Sequence, residues 1–241
     1  MKHVALIFAG GTGTRMNSKT KPKQFLELNG KPIIIHTIEH FEYHEQIEAI
    51  VVVCIEGWIP YFRNLLERYN IKKVKWVVPG GANGQESIYN GLEKLHEVYR
   101  DEPVGVLIHD GVRPLINEQL ISDNIASVEE RGNAITVTNA IETIITTDEN
   151  KKIDNIIDRT KCSLARAPQS FVLQDIYGVH RKAIDEGRND FIDSASIMRH
   201  YGYELYCVDG PTENIKITTP SDFYIFRAIY EAKENSQIFG I

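Results

Sequence analysis

The chain has 241 residues, of which 42% are hydrophobic and 25% charged, and its formal net charge at pH 7 is -6. This length fits one domain with a sizeable core, while the acidic balance argues against a nucleic-acid partner. No apolar run approaches the roughly 20 residues of a membrane span, and Met1 leads into a strand-like segment without a secretory signal, so we expect a cytoplasmic protein with no membrane partner.

Strand-like and helix-like segments alternate through the first half of the chain. Short apolar runs rich in β-branched residues predict buried parallel strands at Val4–Phe8, Ala49–Cys54, Val74–Val78 and Val104–Ile108. Helix-period segments lie between them at Pro32–Glu42, Ile59–Tyr69 and Gln85–Tyr99. In the last helix, the predicted apolar face is Ile88, Leu92, Leu95 and Val98. The alternation predicts the α/β class, with a mostly parallel sheet covered on both faces.

The pattern changes in the second half of the chain. Two strand-like runs, Thr143–Thr147 and Lys152–Ile157, flank the turn-rich Asp148–Asn150 and predict a β-hairpin. Because no helix separates its strands, this hairpin should project from the main sheet, either as an arm that meets a second subunit or as a surface decoration. The remaining predicted elements are helices at Leu173–Glu186 and Asp193–His200, a strand at Glu204–Val208, and a final helix that starts near Thr219-Pro220.

A glycine-rich segment, Gly10–Thr14, directly follows the first predicted strand. Ligands of α/β sheets bind at the carboxyl ends of strands, where glycine lets backbone N–H groups approach phosphate oxygens. The dinucleotide-binding fingerprint needs a third glycine where this chain has Met16, and the Gly-Lys-Ser/Thr of a P-loop is absent. Four basic residues follow this segment: Arg15, Lys19, Lys21 and Lys23. Their charge would suit a triphosphate, and the alternative is that they form a solvated loop face.

Six motifs, in order along nearly the whole chain, resemble those of the cytidylyltransferases that form CDP-alditols, namely the 2-C-methyl-D-erythritol 4-phosphate and ribitol-5-phosphate cytidylyltransferases. They are Ala9–Met16 with Pro22–Phe25, Gly80-Gly81 with Ser87, His109–Pro114, Asp158-Arg159, Pro168-Gln169 and Asn214–Thr218. The resemblance implies a single-domain, Rossmann-like nucleotidyltransferase of the glycosyltransferase-A-like type over residues 1–241, with a β-arm at about 140–165.

The implied reaction joins CTP and an alditol phosphate into a CDP-alditol and releases pyrophosphate, with Mg²⁺ as cofactor. The attacking phosphate is already largely ionised at neutral pH, so no strong general base is needed. By resemblance, Arg15 and Lys23 hold the triphosphate and α-phosphate, and Lys216 supports the same centre from the opposite side. The implied metal ligands are Asp110 and Glu213. The family counterpart of Glu213 is an Asp.

The resemblance also implies the binding residues on both sides of the reaction. CTP would be held by small residues with accessible backbone and by one hydroxyl: Ala9, Gly10, Gly11, Thr12, Gly13, Gly81 and Ser87. The acceptor phosphate would be held by Arg113, Thr143 and Arg159, the last two reaching from the arm into a partner's site in a homodimer. The chain departs from the family pattern at Ala82, Gly84 and Ala167.

The form of the glycine segment favours ribitol 5-phosphate as acceptor. Lys23 lies eight positions after Arg15 in an Ala-Gly-Gly-Thr-Gly-Thr-Arg context, whereas methylerythritol enzymes more often have Ala-Ala-Gly and one residue fewer. A ribitol enzyme would serve teichoic-acid or capsule synthesis, and the alternative is the methylerythritol enzyme of isoprenoid biosynthesis. Two other classes stay open, a nicotinamide-dependent oxidoreductase and a CTP-binding protein without turnover.

Overall fold

A seven-stranded mixed sheet forms the centre of the protein. The computed structural model describes residues 1–11, 21–100 and 102–239, and side chains as far as residue 235. In chain order its strands are β1 Lys2–Ala9, β2 Glu27–Leu28, β3 Lys31–Pro32, β4 Ile47–Cys54, β5 Val74–Pro79, β6 Val104–Asp110, β7 Asn133–Asn139, β8 Ile144–Thr147, β9 Ile153–Ile157, β10 Ser163–Val172 and β11 Cys207–Asp209. The main sheet has the order β11-β7-β10-β6-β1-β4-β5, and β10 runs antiparallel to both its neighbours.

Helices cover both faces of this sheet and bury its apolar side chains. The helices are α1 Ile33–Glu42, α2 Ile59–Arg68, α3 Gly84–Tyr99, α4 Glu118–Arg131, α5 Leu173–Asp185, α6 Ser194–His200 and α7 Pro220–Phe239. One core contains residues of α1, α2 and α4, and the other contains residues of α3, α5 and α6. Of these described helices, none is both long enough and apolar enough to cross a lipid bilayer. The predicted α/β class with a mostly parallel sheet is confirmed.

Most predicted elements end within a few residues of those observed, and the exceptions have physical causes. Val98 is exposed, so its assignment to the core face of α3 is wrong. Tyr99 is buried in its place, because residues 88, 92, 95 and 99 are spaced by four, three and four along one helix face. The strand predicted at Glu204–Val208 is the three-residue β11, which pairs with β7 over Cys207–Asp209. Helix α4 and strand β10 were not predicted.

The predicted hairpin is present as β8 and β9, which form a two-stranded sheet separate from the main one. Ile144 pairs with Ile157 and Thr147 with Ile153. At the turn, Oδ1 of Asp148 accepts hydrogen bonds from the backbone nitrogens of residues 150 and 152, both at 2.9 Å. An Asp side chain that bonds the backbone two residues on stabilises such turns. We call this hairpin the β-arm.

The carboxyl ends of the parallel strands bring three loops to one edge of the sheet. Gly10 follows β1, Gly80 follows β5, and Asp110 is the last residue of β6. A fourth segment reaches this edge from the C-terminal part of the chain, because the Ile217 nitrogen donates to the Val112 carbonyl oxygen at 3.0 Å. Both side chains pack with the buried Phe226 of α7 in a small apolar cluster. This packing fixes the segment beside the end of β6.

Candidate active site

The two glycine loops touch each other. A β-carbon at Gly10 would lie 3.0 Å from Oγ of Ser87 and 3.3 Å from Cα of Gly80, closer than side chains normally pack. Ser87 also shapes the second loop, since its hydroxyl donates to the Asn83 carbonyl oxygen at 2.8 Å and accepts from the Gly81 nitrogen at 3.1 Å. Glycine at position 10 is therefore needed for close approach of the loops.

The second loop ends at the capped N-terminus of α3. The Asn83 side chain accepts from the Glu86 nitrogen at 2.9 Å, and the Glu86 carboxylate accepts from the Ala82 nitrogen at 2.7 Å. Both bonds stabilise the start of the helix, the first as a side-chain N-cap. The start of α3 is the positive end of its dipole, which favours anions nearby.

Gln24 holds the first loop from behind. Its Nε2 donates to the carbonyl oxygens of Ala9 at 2.6 Å and Gly11 at 3.3 Å, and the side chain is only 1% exposed. Lys23, the preceding residue, faces the cavity that these loops line. Gln24 belongs to the Pro22–Phe25 motif, but the sequence pattern predicts no role for it. The positioning role is visible only when the loop and Gln24 are seen to meet across the fold.

A buried carboxylate with two cations lies at the end of β6. Asp110 is 6% exposed, and its Oδ1 is 2.5 Å from Nζ of Lys216. Its Oδ2 accepts from Nε of Arg113 at 2.7 Å. Arg113 is fixed further by donating from Nη1 to the Asn214 carbonyl oxygen at 2.8 Å, and Lys216 lies over the Phe8 ring at 5.7 Å from its centroid. Residues more than 100 positions apart thus form one charged cluster.

The cluster keeps Asp110 ionised. Burial alone would raise its pKa, but attraction to Lys216 and Arg113 outweighs that effect and lowers the pKa of Asp110 to about 2. The neighbouring imidazole behaves differently, because burial lowers the pKa of His109 to about 4. Neutral His109 contacts the Arg113 carbonyl oxygen at 3.1 Å through Nε2 and supports the turn after β6. The charge at this edge is therefore carried by Asp110 and its partners.

Two cavities meet at this cluster. The glycine-loop cavity, about 460 Å³, is lined by the loops after β1 and β5, Lys23 and Thr218. The α5 cavity, about 250 Å³, is lined by Arg113, Ala167, Gln169, His180 of α5 and the segment that leads into α6. Four residues line both cavities: Phe8, Gly84, Asp110 and Lys216. Ligands in the two cavities would face each other across Asp110 and Lys216.

Most of the predicted site residues that the structure describes come together here. The glycine-loop cavity contains Ala9, Gly10, Gly11, Lys23, Gly81, Ser87, Asp110 and Lys216, and the α5 cavity adds Arg113. Thr12, Gly13 and Arg15 lie outside the described residues. The family departures Ala82, Gly84 and Ala167 also line these cavities.

Three predicted site residues lie elsewhere in the chain. Thr143 and Arg159 are exposed at the β-arm, where Nη1 of Arg159 donates to the Ile141 carbonyl oxygen at 2.8 Å. Glu213 lines neither cavity, and its Oε1 is 3.7 Å from Nζ of Lys233. Within the part of the chain that the structure describes, no three His, Cys, Asp or Glu side chains form a group that could hold a metal ion. The metal role of Glu213 stays a prediction.

Asn214 is a second site residue that sequence analysis quoted without a role. It is fully buried, and its Nδ2 donates to the Ala167 carbonyl oxygen at 2.6 Å. Because its own carbonyl oxygen accepts from Arg113, Asn214 ties the α5 cavity wall to the charged cluster. Its signal in the sequence is its place two residues before Lys216 in the matched motif.

Comparison with known proteins shows that the chain is similar to cytidylyltransferases over nearly its whole length. Residues 3–232 match the family model for IspD, 2-C-methyl-D-erythritol 4-phosphate cytidylyltransferase. A ribitol-5-phosphate cytidylyltransferase of Streptococcus agalactiae serotype V is 55% identical over 241 residues, covering 100% of both chains. A 2-C-methyl-D-erythritol 4-phosphate cytidylyltransferase of Clostridium botulinum is 35% identical, covering 95% of this chain and 98% of its own. The crystal structure of 4-diphosphocytidyl-2C-methyl-D-erythritol synthase from Anaerococcus prevotii superposes with a TM-score of 0.82 at 25% identity, over 95% and 96% of the two chains.

Proposed function

This chain belongs to the 2-C-methyl-D-erythritol 4-phosphate cytidylyltransferase family, and we propose that it transfers the CMP group of CTP to ribitol 5-phosphate. The products are CDP-ribitol and pyrophosphate, which would feed teichoic-acid or capsule synthesis. The observation that carries this proposal is the pair of cavities that meet at Asp110 and Lys216. One cavity offers glycine loops and cations for a nucleoside triphosphate, and the other offers Arg113 for a phosphate monoester.

In this reaction, a phosphate oxygen of the acceptor attacks the α-phosphorus of CTP. A new phosphorus–oxygen bond forms, and the bond from the α-phosphorus to the oxygen it shares with the β-phosphate breaks as pyrophosphate leaves. The main task of the protein is to hold two anions together in line, which positioned cations do without taking up a proton. Lys216 borders both cavities, so its Nζ is available to oxygens on either side.

Lys23 and Arg15 are the proposed partners of the triphosphate, and the backbone of the glycine loops with Ser87 is the proposed cytosine site. Lys23 lines the glycine-loop cavity. Arg113 is the proposed ligand of the acceptor phosphate, because it lines the α5 cavity and its guanidinium is fixed by Asp110 and Asn214. A planar guanidinium held in this way suits a phosphate group.

Mg²⁺ is the proposed cofactor, and Asp110 is the residue that would hold it. The fit rests on chemistry, since an ionised carboxylate where the two cavities meet is the hard oxygen ligand that Mg²⁺ prefers. When bound, the ion would neutralise negative charge on the phosphate oxygens.

Two observations favour ribitol 5-phosphate as the acceptor. The glycine segment has the form that favours ribitol 5-phosphate, and the ribitol-named relative is 55% identical against 35% for the methylerythritol-named one. Ala167 supports a difference in acceptor, because it lines the α5 cavity where a hydroxyl-bearing threonine is usual in the family. The methylerythritol reaction is the alternative.

We also propose a homodimer assembled through the β-arm. Three isoleucines of its strands are exposed, Ile145, Ile153 and Ile156, and grouped exposed apolar side chains are typical of subunit contacts. Thr143 and Arg159 line neither cavity of their own chain, as expected if they complete the acceptor site of a partner. Because the reaction consumes CTP, a cytoplasmic location is proposed with it.

Turnover with separate acceptors tests this function. The purified protein is incubated with CTP and Mg²⁺ and with either ribitol 5-phosphate or 2-C-methyl-D-erythritol 4-phosphate, and pyrophosphate release is measured. We expect release with ribitol 5-phosphate, and EDTA should abolish it. Turnover of methylerythritol phosphate alone would assign the isoprenoid reaction instead, and CTP binding without pyrophosphate release would contradict both reactions.

A further inference from the structure

A buried histidine on α5 has no hydrogen-bond partner among the residues that the structure describes. His180 is 2% exposed, and neither ring nitrogen is bonded to any described protein atom. Buried polar groups are nearly always hydrogen-bonded, so an unpaired pair of nitrogens calls for an explanation. His180 lies on the apolar face of α5, one turn from the buried Ile176 and Ala183, where a leucine would pack without leaving polar atoms unpaired.

The location of His180 indicates which group its ring nitrogens could bind. It lines the α5 cavity together with Asp110, Arg113 and Lys216. The two cations suit the acceptor phosphate, so the rest of the acceptor would occupy the remaining part of this cavity, which His180 helps to line. Any acceptor of the proposed reaction carries several hydroxyl groups on this part.

Other polar side chains of the α5 cavity already have partners within the protein. Nε2 of Gln169 donates to the Asp193 carboxylate at 3.0 Å. Nε2 of Gln85 donates to the Arg188 carbonyl oxygen at 3.0 Å. His180 differs from them because its whole hydrogen-bonding capacity is unused by the described residues.

We propose that His180 forms a hydrogen bond with a hydroxyl group of the acceptor's polyol chain and thereby selects polyol phosphates, an inference that rests on the proposed cytidylyl transfer. Burial lowers the pKa of His180 to about 4, so the ring is neutral at working pH. A neutral imidazole has one donor and one acceptor nitrogen, which match a hydroxyl group and do not attract a phosphate. His180 is thus a positioning residue for the acceptor, while Arg113 and Lys216 serve the phosphate.

His180→Leu separates this role from a structural one. Leucine fills a similar volume without polar atoms, so the melting temperature should be equal to or higher than that of the wild type. We expect kcat/KM for ribitol 5-phosphate to fall by about three- to tenfold, the usual cost of one lost neutral hydrogen bond. KM for CTP should not change. His180→Gln, which keeps a donor and an acceptor, should recover part of the loss.

His96→Leu is the matched control. His96 is on α3, stacks on Tyr177 at 4.1 Å and also has a buried, unpaired Nδ1, but it lines neither cavity. Its replacement should leave kcat/KM for both substrates unchanged. Unchanged kinetics in His180→Leu would overturn the proposal. An equal loss for CTP and acceptor with a lower melting temperature would overturn it too, because that result indicates packing alone.

A measurement on the wild type decides the question if His180→Leu does not fold. In protein with ¹⁵N-labelled histidine, the His180 ring signals should shift when ribitol 5-phosphate is added in the presence of CDP, and CDP alone should not shift them. Absence of a shift with the acceptor would refute the proposed contact. Wild-type protein that does not turn over any alditol phosphate would instead refute the proposed function, so the two failures are distinct.

Discussion

Replacing Asp110 with asparagine tests the charged cluster that joins the two cavities. Burial acts to raise the pKa of Asp110, yet Lys216 and Arg113 bring it down from 3.8 to about 2. At 1.36 kcal/mol per pKa unit, this difference contributes about 2 kcal/mol to the free energy of unfolding at neutral pH. Asparagine has no charge, so Asp110→Asn should lose that contribution. Turnover should also fall by about 100-fold or more, because Lys216 and Arg113 lose the group that orients them.

The loss of stability in Asp110→Asn should depend on pH. Since the folded-state pKa lies below the unfolded one, the stabilisation is present above about pH 5 and is lost as the pH falls toward 2. The difference in unfolding free energy between wild type and variant should therefore shrink by about half near pH 3. Urea unfolding followed by tryptophan fluorescence measures it, with Asp185→Asn on the exposed face of α5 as the control for removing one charge. A difference that is constant from neutral pH to pH 3 would refute the reasoning.

Three further predictions concern the cations, the glycine loops and the β-arm. Lys23→Ala and Lys216→Ala should each reduce turnover by about 100-fold or more with an unchanged circular dichroism spectrum, because each removes a cation beside the reacting phosphates; near-normal rates in both would exclude the mechanism. Gly10→Ala should raise KM for CTP by about tenfold, because its β-carbon would crowd Gly80 at 3.3 Å, and an unaltered KM would show that the loops can separate freely. Ile156→Asp should give a monomer in size-exclusion chromatography with light scattering, together with loss of acceptor turnover; an active dimer would place the subunit contact elsewhere.

The alternating strands and helices could be predicted from the local sequence pattern. The elements that the pattern missed depend on contacts between distant parts of the chain. Val98 and Tyr99 lie three and four positions after Leu95, so helical spacing allows either of them on the core face, and the packed structure buries Tyr99. Strand β10 contains Pro168, which interrupts a strand pattern, and its pairing with β7 shifts between Ala165 and Gln169. Its antiparallel direction depends on where the chain returns after the β-arm, which no local pattern encodes.

In the candidate site too, some residues could be predicted from the sequence and others could not. Asp110 and Lys216 belong to recognisable sequence motifs, so their chemistry could be predicted without knowing that they are in contact. Gln24 acts through bonds to the backbone of a loop 13 and 15 residues away, and such a role has no sequence pattern of its own. Nothing in the sequence distinguishes His180 from the other residues of its helix. Only the packed structure shows that its ring nitrogens have no hydrogen-bond partner among the described residues.

The partition made by Phe8, Gly84, Asp110 and Lys216 is thin, since each of these residues borders both cavities. A single molecule that carries a cytidine at one end and a phosphorylated polyol at the other would occupy both compartments at once. Linking two binding groups makes the second association intramolecular and strengthens the whole. Bisubstrate inhibitors built across this partition should accordingly bind far more tightly than either half, and the CDP-alditol product should itself be a strong competitor of CTP.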